Sequence, residues 1–491
     1  MKTLGTASPS TSAARRGFFL CFTAFVLLLS PSLFADALYN LADFAAFANH
    51  WLQTGCNSGN LWCGGYDYDI SGTADVEDLL LFSNLWLTSK DNLLSDDIAK
   101  WTVERGYTKE LDTVKWNYDR GFILLSLYEK WLAKPNPIYL EFIKNWVDTI
   151  VQADGSIVPP TNPNYYKITN YTLDHIQPGN LLLILYELFG DNKYKLAMEN
   201  NLIPQLLDQP ITTDGGFWHK GSYKYQMWLD GIYMAQPFVC GYAKMFNEPG
   251  WYDVAGYQCT LIATHTQKSQ IYPADSNHLC YHGWADLYGM AHANPVVTPP
   301  SWAHPTYGYS QEFWGRAQGW YAMALVDCLD IMPTDDPCRP QMLTILSDLA
   351  ESLAYYQDPN NGPDANNGMW WQVVNKGYPR TTYPTNYTET SCTAMFSYAL
   401  GKAVEKGYLP ADPYLAVSRT AFESLRRYKL SYSGGYISLK DTVQVGSLGT
   451  GGGTYSYYMN RVSCPLVTND IKGVGAFMRA ALQYEKMTPP K

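Results

Sequence analysis

From about residue 91 to the end of the chain, apolar residues recur at i, i+3, i+4 and i+7, the spacing of amphipathic helices with one buried stripe. The pattern predicts about a dozen helices in this region, among them 121–133, 139–152, 179–189, 233–245, 318–331, 339–356, 389–403, 413–428 and 475–485. Loops rich in Gly, Pro, Asn and aromatic residues separate them, and no series of alternating strands competes. Roughly 390 residues of paired helices without a break in composition predict one large all-α domain, most simply a closed ring of helical hairpins with its chemistry on the loops at one end.

Ahead of this region the helical period occurs twice in a repeat. The segment Leu41–Leu52 returns 35 residues later as Val76–Leu87, with five of twelve positions identical: Asp43/Asp78, Phe47/Phe82, Asn49/Asn84, Trp51/Trp86 and Leu52/Leu87. Two such short helices bury their apolar faces only against each other or against another protein. Before the second copy runs Asp67-Tyr-Asp69-Ile-Ser71-Gly72-Thr73-Ala-Asp75-Val-Glu-Asp78. Oxygen side chains at positions 1, 3, 5, 9 and 12, the Thr73 carbonyl at position 7 and Gly at position 6 make a twelve-residue calcium loop. Asp78 at position 12 has a shorter reach than the usual Glu and predicts a weaker site. The helix pair with its loop resembles a dockerin-type module. That likeness implies an extracellular anchoring role, with a cohesin-like or cell-surface partner. The first copy lacks the calcium loop.

Composition narrows the function. Of 491 residues 46% are hydrophobic, 16% charged and 15% aromatic, with 16 Trp and 39 Tyr. Amphipathic rings at that density suit either stacking on sugar-like ligands or a helical core packed with Tyr. A net charge of −10 and a pI near 5.3 argue against nucleic-acid binding, which demands clustered Lys and Arg. Residues 1–37 read as an export signal: Arg15 and Arg16, an apolar run from Gly17 to Leu29, then Ala35-Asp36-Ala37. No stretch is long enough to span a bilayer. The predicted boundaries are a signal peptide at 1–37, the small module at 38–90 and the helical domain at 91–491. In an oxidising compartment Cys56 and Cys63, seven apart in a Gly/Asn-rich loop, are read as a disulfide. The other cysteines of the mature chain suit small buried apolar positions.

Within the helical domain, several clusters carry candidate chemistry. Asp174 stands between a loop and the apolar run 180–188, as a site carboxylate or a helix cap. Asp230, in Trp228-Leu-Asp230-Gly-Ile-Tyr233, is flanked by apolar residues that predict a raised pKa, as a general acid needs; capping the helix that follows is compatible. His219 lies in Gly-Gly-Phe-Trp-His219-Lys, and His282 in Tyr-His282-Gly-Trp, where a structural role competes with a polar ligand contact. In Trp314-Gly-Arg316-Ala-Gln-Gly-Trp320 the guanidinium suits bidentate capture of a carboxylate and the indoles suit a sugar ring, against structural stacking at a helix entry. No spacing of His, Cys and carboxylates reads as a catalytic metal site.

Taken in order, these motifs, with Asn386-Tyr-Thr-Glu389-Thr-Ser391, resemble those of the unsaturated rhamnogalacturonyl hydrolases of glycoside hydrolase families 105 and 88, over residues 116–485. The resemblance implies an (α/α)6 barrel and an enzyme that needs no cofactor for catalysis. Its substrates would be oligosaccharides ending in an unsaturated uronic acid. Asp230 would protonate C4 of the enol ether and help water add at C5, with Asp174 assisting. Arg316 and His282 would hold the uronate, and His219, Trp228, Trp314 and Trp320 would shape the pocket. Rhamnogalacturonan fragments are the first expectation for the substrate and ulvan fragments the next. A polysaccharide lyase and a non-catalytic carbohydrate-binding protein remain as alternatives. The Pro-rich insertion 294–305 departs from the family pattern and bears on the aglycone.

Overall fold

Every interior helix of the large domain must bury one stripe against neighbours, and the computed structural model shows which neighbours those are. It describes residues 39, 41–83, 85, 93–106, 115–359, 368–377, 382–449 and 451–488. The expected export signal, and Asn84, Trp86 and Leu87 of the repeat, lie outside the described residues. Of the described residues 57% are helix and 8% strand. Contacts divide it into two units: residues up to Asn92 together with Trp131–Glu141, and the remainder from Leu93 onward.

In the first unit, α1 (Leu41–His50) and α2 (Val76–Ser83) are the two repeat helices. Phe47 and Phe82, equivalent positions in the repeat, stack at 5.4 Å, and Phe44, Tyr68 and Leu85 complete the small core. The Cys56–Cys63 disulfide is formed, as expected. Between the helices, Gly72 takes the left-handed turn conformation (φ 95°) that its loop position requires.

The long helices are α3 (Tyr118–Ala133), α4 (Pro137–Ile150), α5 (Gly179–Phe189), α6 (Leu229–Phe246), α7 (Gly250–Thr266), α8 (Gly315–Ile331), α9 (Arg339–Tyr356), α10 (Thr390–Glu405), α11 (Ala411–Tyr428) and α12 (Ile471–Met487). Along the interior, α5 packs on α6, α6 on α8, α8 on α10 and α10 on α12, while α7, α9 and α11 lie against α6, α8 and α10. Phe122 of α3 sets its ring edge-on to Tyr233 of α6 (5.6 Å) and Trp320 of α8 (4.8 Å). On its other side α3 approaches α12 so closely that a Cβ on Gly475 would lie 3.0 Å from the Phe122 ring. Helix α7 buries Gln258, Thr260 and Thr266 among its apolar residues, which blurs the stripe that marks the other helices. Among the described residues no helix is long and apolar enough to cross a membrane.

One ionic cluster ties five helices together. Arg479 of α12 donates to Glu129 of α3 (2.8 Å), Tyr233 of α6 (2.8 Å) and Asp327 of α8 (2.9 Å). Asp327 also accepts from Tyr398 and Lys402 of α10, both at 2.8 Å. Burial alone would push the Asp327 carboxyl up, but these cations hold it down to about 2.

Among the described residues strands appear only as three two-stranded antiparallel ribbons, too short for a period of two to show in the sequence. The first pairs β1 (Gln226–Trp228) with β2 (Gly283–Ala285), Trp228 opposite Gly283. Two more follow α11, pairing Leu430–Ser433 with Tyr436–Leu439 and Thr442–Val443 with Leu466–Val467.

The ionic cluster generates a stability prediction. Arg479→Leu leaves Asp327 and Glu129 short of a buried cation and should cost about 3 kcal/mol or more, lowering Tm by about 5–10 °C. The double variant Arg479→Leu/Asp327→Leu should regain part of that loss, as calorimetry can read. Because the folded pKa of Asp327 is depressed, its contribution is present above the ordinary carboxylate pKa. The wild-type fold should keep that contribution until the pH falls through about 4 and lose it progressively toward about 2, as acid unfolding can read.

Candidate active site

The β1–β2 ribbon delivers two side chains to one point. Its ladder continues past the strands, with the Leu229 N–H donating to the His282 carbonyl at 3.0 Å. Asp230, second residue of α6, thereby comes to lie with its carboxylate 3.0 Å from His282 Nε2. Trp228 occupies the cap position of α6 and makes no side-chain cap, and Asp230 caps nothing either. His282 is fully buried, with Nδ1 2.7 Å from the Tyr458 hydroxyl. When that phenol donates, the ring proton sits on Nε2, facing Asp230.

The apolar neighbours of Asp230 in sequence predict a raised pKa, and the fold reverses this. Burial does push the carboxyl up, but the charges of His282 first, then His219 and Arg316, outweigh it and hold Asp230 below its ordinary value. The sequence pattern shows what precedes and follows a carboxylate but not which cation the fold brings across to it.

Asp174 sits in a short 3-10 turn, Leu173–His175, pinned by the Leu173 N–H donating to the His219 carbonyl (3.1 Å). It does not cap α5, whose cap position is Pro178 and which has no side-chain cap. Its carboxylate pairs instead with Lys220 Nζ at 2.6 Å, and His219 Nε2 lies 3.8 Å away. Against burial, the Lys220 charge and then that of His219 hold Asp174 below its ordinary pKa. His219 itself is pushed down to about 4, chiefly by burial, so its imidazole is neutral near pH 7. Its ring stacks on Trp228 at 4.6 Å, and Tyr223 continues the stack at 4.7 Å from Trp228.

Trp314 and Arg316 stand at the start of α8. Trp314 is buried beside His282 (4.8 Å) and parallel to Tyr458 (5.7 Å, 13°), so it supports the histidine and offers no open stacking face. Arg316 lies over Trp314 (4.9 Å) and donates to the carbonyls of Val443 and Gln444 and to Ser391 Oγ. Glu389, the cap of α10, fixes that shelf: it accepts from the Val443 N–H (2.9 Å) and from Ser391 and Cys392. The expectation that Trp320 lines the pocket meets a different placement. It is buried in the helical core against Phe122, Tyr233 and Tyr118.

The structure thus gathers Asp174, His219, Trp228, Asp230, His282, Trp314 and Arg316 at the N-terminal ends of α6, α8 and α10. It adds three residues with no assigned role in the sequence reading. Lys220 was visible beside His219 in its motif. Tyr458, 176 positions from His282, and Tyr223 carried no signal.

In the first unit, the carboxylates of Asp67, Asp69 and Asp78 lie within 4.8 Å of one another. Asp67 accepts from the N–H groups of Ser71 and Gly72, and Asp78 from those of Asp69 and Asp75. The Ser71 hydroxyl donates to the Thr73 carbonyl at 3.2 Å. Burial first, then the neighbouring Asp69, pushes Asp67 up to about 6; burial above all pushes Asp78 up to about 7. Among the described residues no Lys or Arg pairs with them.

Protein Atu3128 of Agrobacterium fabrum is 36% identical over 257 residues, half of this chain and 96% of that protein. The unsaturated rhamnogalacturonyl hydrolase YesR of Bacillus subtilis is 23% identical over 277 residues, 55% of this chain and 66% of that protein. A solved glycoside hydrolase of family 105 from C. acetobutylicum superimposes with a TM-score of 0.69 at 30% identity, covering 80% of this chain and all of the other. Residues 94–488 match the family described as Glycosyl Hydrolase Family 88, and the chain belongs to that family.

Proposed function

We propose that this glycoside hydrolase removes the unsaturated uronic acid from the non-reducing end of lyase-generated rhamnogalacturonan oligosaccharides, by hydrating the C4=C5 enol ether on an (α/α)6 barrel closed by the interior helices. The observation that carries the reading is a pair of buried carboxylates with different partners. Asp174 faces a lysine and Asp230 faces a histidine. Asp230 takes up a proton from solvent as the anionic uronate enters beside it, because a second negative charge there favours the neutral carboxyl. Asp230 gives this proton to C4, and positive charge develops at C5 and the ring oxygen. Water adds at C5 and returns a proton to Asp230, and the hemiketal opens to release the aglycone. Asp174, ionised beside Lys220, orients the water and stabilises the developing charge. Arg316 and Lys220 supply positive charge for the uronate carboxylate, His282 and His219 meet its hydroxyls, and Trp228 lines the ring. The name of the relative YesR supports the rhamnogalacturonan substrate over ulvan fragments.

The first unit is proposed as a dockerin-like appendage that holds Ca2+ between Asp67, Asp69, Ser71, the Thr73 carbonyl, Asp75 and Asp78, and tethers an exported enzyme to a cohesin-like or cell-surface partner. Buried carboxylates without a paired cation favour this reading.

Three outcomes test these readings. Asp230→Asn should lower kcat by about 10²–10⁴-fold, followed as the ultraviolet absorbance of the conjugated double bond disappears from rhamnogalacturonan oligosaccharides. Wild-type turnover in that variant would rule the mechanism out. Lys220→Met leaves burial to dominate at Asp174, whose pKa then rises. Since the ionised form is needed, the acid limb of the kcat/KM profile should move to higher pH. Titration calorimetry of the full chain should find one Ca2+ site that Asp67→Ala removes, with turnover unaltered.

A further inference from the structure

Three residue pairs do not stiffen a ribbon on their own, and the β1–β2 ribbon is held from outside by a cluster that takes no part in the chemistry above. His265, in the last turn of α7, lies with its ring on Trp284 of β2 (3.6 Å between centroids, 7° between planes) and turns Nε2 to Asp214 at 2.6 Å. We propose that His265 is a positioning residue for the reaction: through Asp214 on one side and Trp284 on the other, it sets the spacing between the segment that carries Lys220 and the strand that follows His282. The proposal rests on the uronyl hydrolase reading and adds to it the device that keeps Asp174 and Asp230 at a fixed separation.

Each end of the cluster leads to one carboxylate. Asp214 opens a tight turn that runs through Gly215 and Gly216 to His219 and Lys220, and Lys220 pairs with Asp174. Gly215 takes the left-handed conformation (φ 87°), and Gly216 lets the turn lie so close to β1 that a Cβ there would run into the Met227 sulfur. Gln258, one of the polar residues that blur the stripe of α7, holds the same turn: it accepts from the Phe217 N–H and donates to the Gly215 carbonyl, both at 2.8 Å. The Tyr257 hydroxyl donates to the Asp214 carbonyl. At the other end, Trp284 stands opposite Met227 in the ribbon, two residues after His282, whose Nε2 faces Asp230. Its indole N–H donates to the Tyr307 carbonyl at 3.0 Å, so the ring cannot turn away from His265 without losing that bond.

The cluster is built to hold a distance and not to react. Burial pushes the Asp214 carboxyl up, but hydrogen bonds from His265 first and then Thr212 hold it below its ordinary value, so it stays an acceptor for His265 near neutral pH. Asp174 and Asp230 take their own partners from other residues, and the cluster acts on them only through the backbone. A second tie, the Thr213 N–H donating to Asp286 at 2.8 Å, joins the turn to the end of the ribbon and survives the loss of His265.

The test measures kcat and KM on unsaturated rhamnogalacturonan oligosaccharides, and amide hydrogen exchange of the full chain by mass spectrometry. His265→Phe keeps a ring on Trp284 and loses the bond to Asp214; Asp214→Ala loses the same bond from the other side. Each should lower kcat about tenfold or more while KM stays within about twofold, and the double variant should be no worse than either alone. Asp214→Asn keeps an acceptor for Nε2 and should restore kcat to within about twofold of the wild type. In His265→Phe the peptides around Leu173, His219 and Leu229 should exchange about tenfold faster, and those of α8 and α10 at the wild-type rate. An unchanged kcat in His265→Phe, a loss carried by KM, no recovery in Asp214→Asn, or exchange that rises equally along the chain would overturn the assignment. If the wild type turns over no unsaturated substrate, the uronyl hydrolase reading has failed by itself, and the exchange pattern then decides. A rise confined to the three peptides supports the spacing role, and no change there overturns it.

Discussion

A guanidinium buried among five helices is tolerated only where every donor meets an acceptor, because the desolvation of such an ion costs several kcal/mol if left unanswered. Arg479 meets that demand with Glu129, Tyr233 and Asp327, and Lys402 and Tyr398 complete the coordination of Asp327. Apolar stripes alone would let neighbouring helices slide by a residue at modest cost. Charged hydrogen bonds with fixed partners do not, so the cluster sets the relative height of α3, α6, α8, α10 and α12. The catalytic end inherits that register. Tyr233 lies one turn from Asp230 on α6, and Asp327 lies three turns from Arg316 on α8. Carboxylate and guanidinium are thus presented from the same end of adjacent helices.

At that end, two carboxylates with similar burial acquire different chemistry from their partners. Lys220 keeps its charge throughout the working pH range, so Asp174 stays an anion whatever else happens in the pocket. His282 turns Nε2 toward Asp230 at 3.0 Å, and the Tyr458 hydroxyl at Nδ1 fixes that orientation. That asymmetry distinguishes the two carboxylates more firmly than burial does, since burial raises both.

The helices and the residue types of the site were legible in the sequence because each is a local signal. Two of the helices named from the pattern, 179–189 and 339–356, have the bounds seen in the structure, and most of the others differ by a few residues at an end. The disulfide and the mutual burial of Phe47 and Phe82 were readable for the same reason. What the sequence did not carry are relations across the chain. The pKa direction of Asp230 depends on His282, 52 positions away, and the donors of Arg316 depend on carbonyls at 443 and 444. Trp320 has the same motif context as Trp314, yet one full helical turn and a half separates them on α8. That places one indole under the site and the other in the core.

The short ribbons show how the fold divides its labour. Helices fix height and register, but a helix presents its side chains on a cylinder and cannot bring two loops into line. The β1–β2 ladder does that with only three residue pairs, setting Trp228 and Asp230 against His282. The same β2 strand receives the returning segment of the insertion on its other side, through the bridge between Trp284 and Tyr309. One strand of three residues therefore holds both the segment that leads into Asp230 and the segment that returns from the insertion. Changes in the insertion leave Asp230 in place, since none of the bonds that position it comes from residues 294–305.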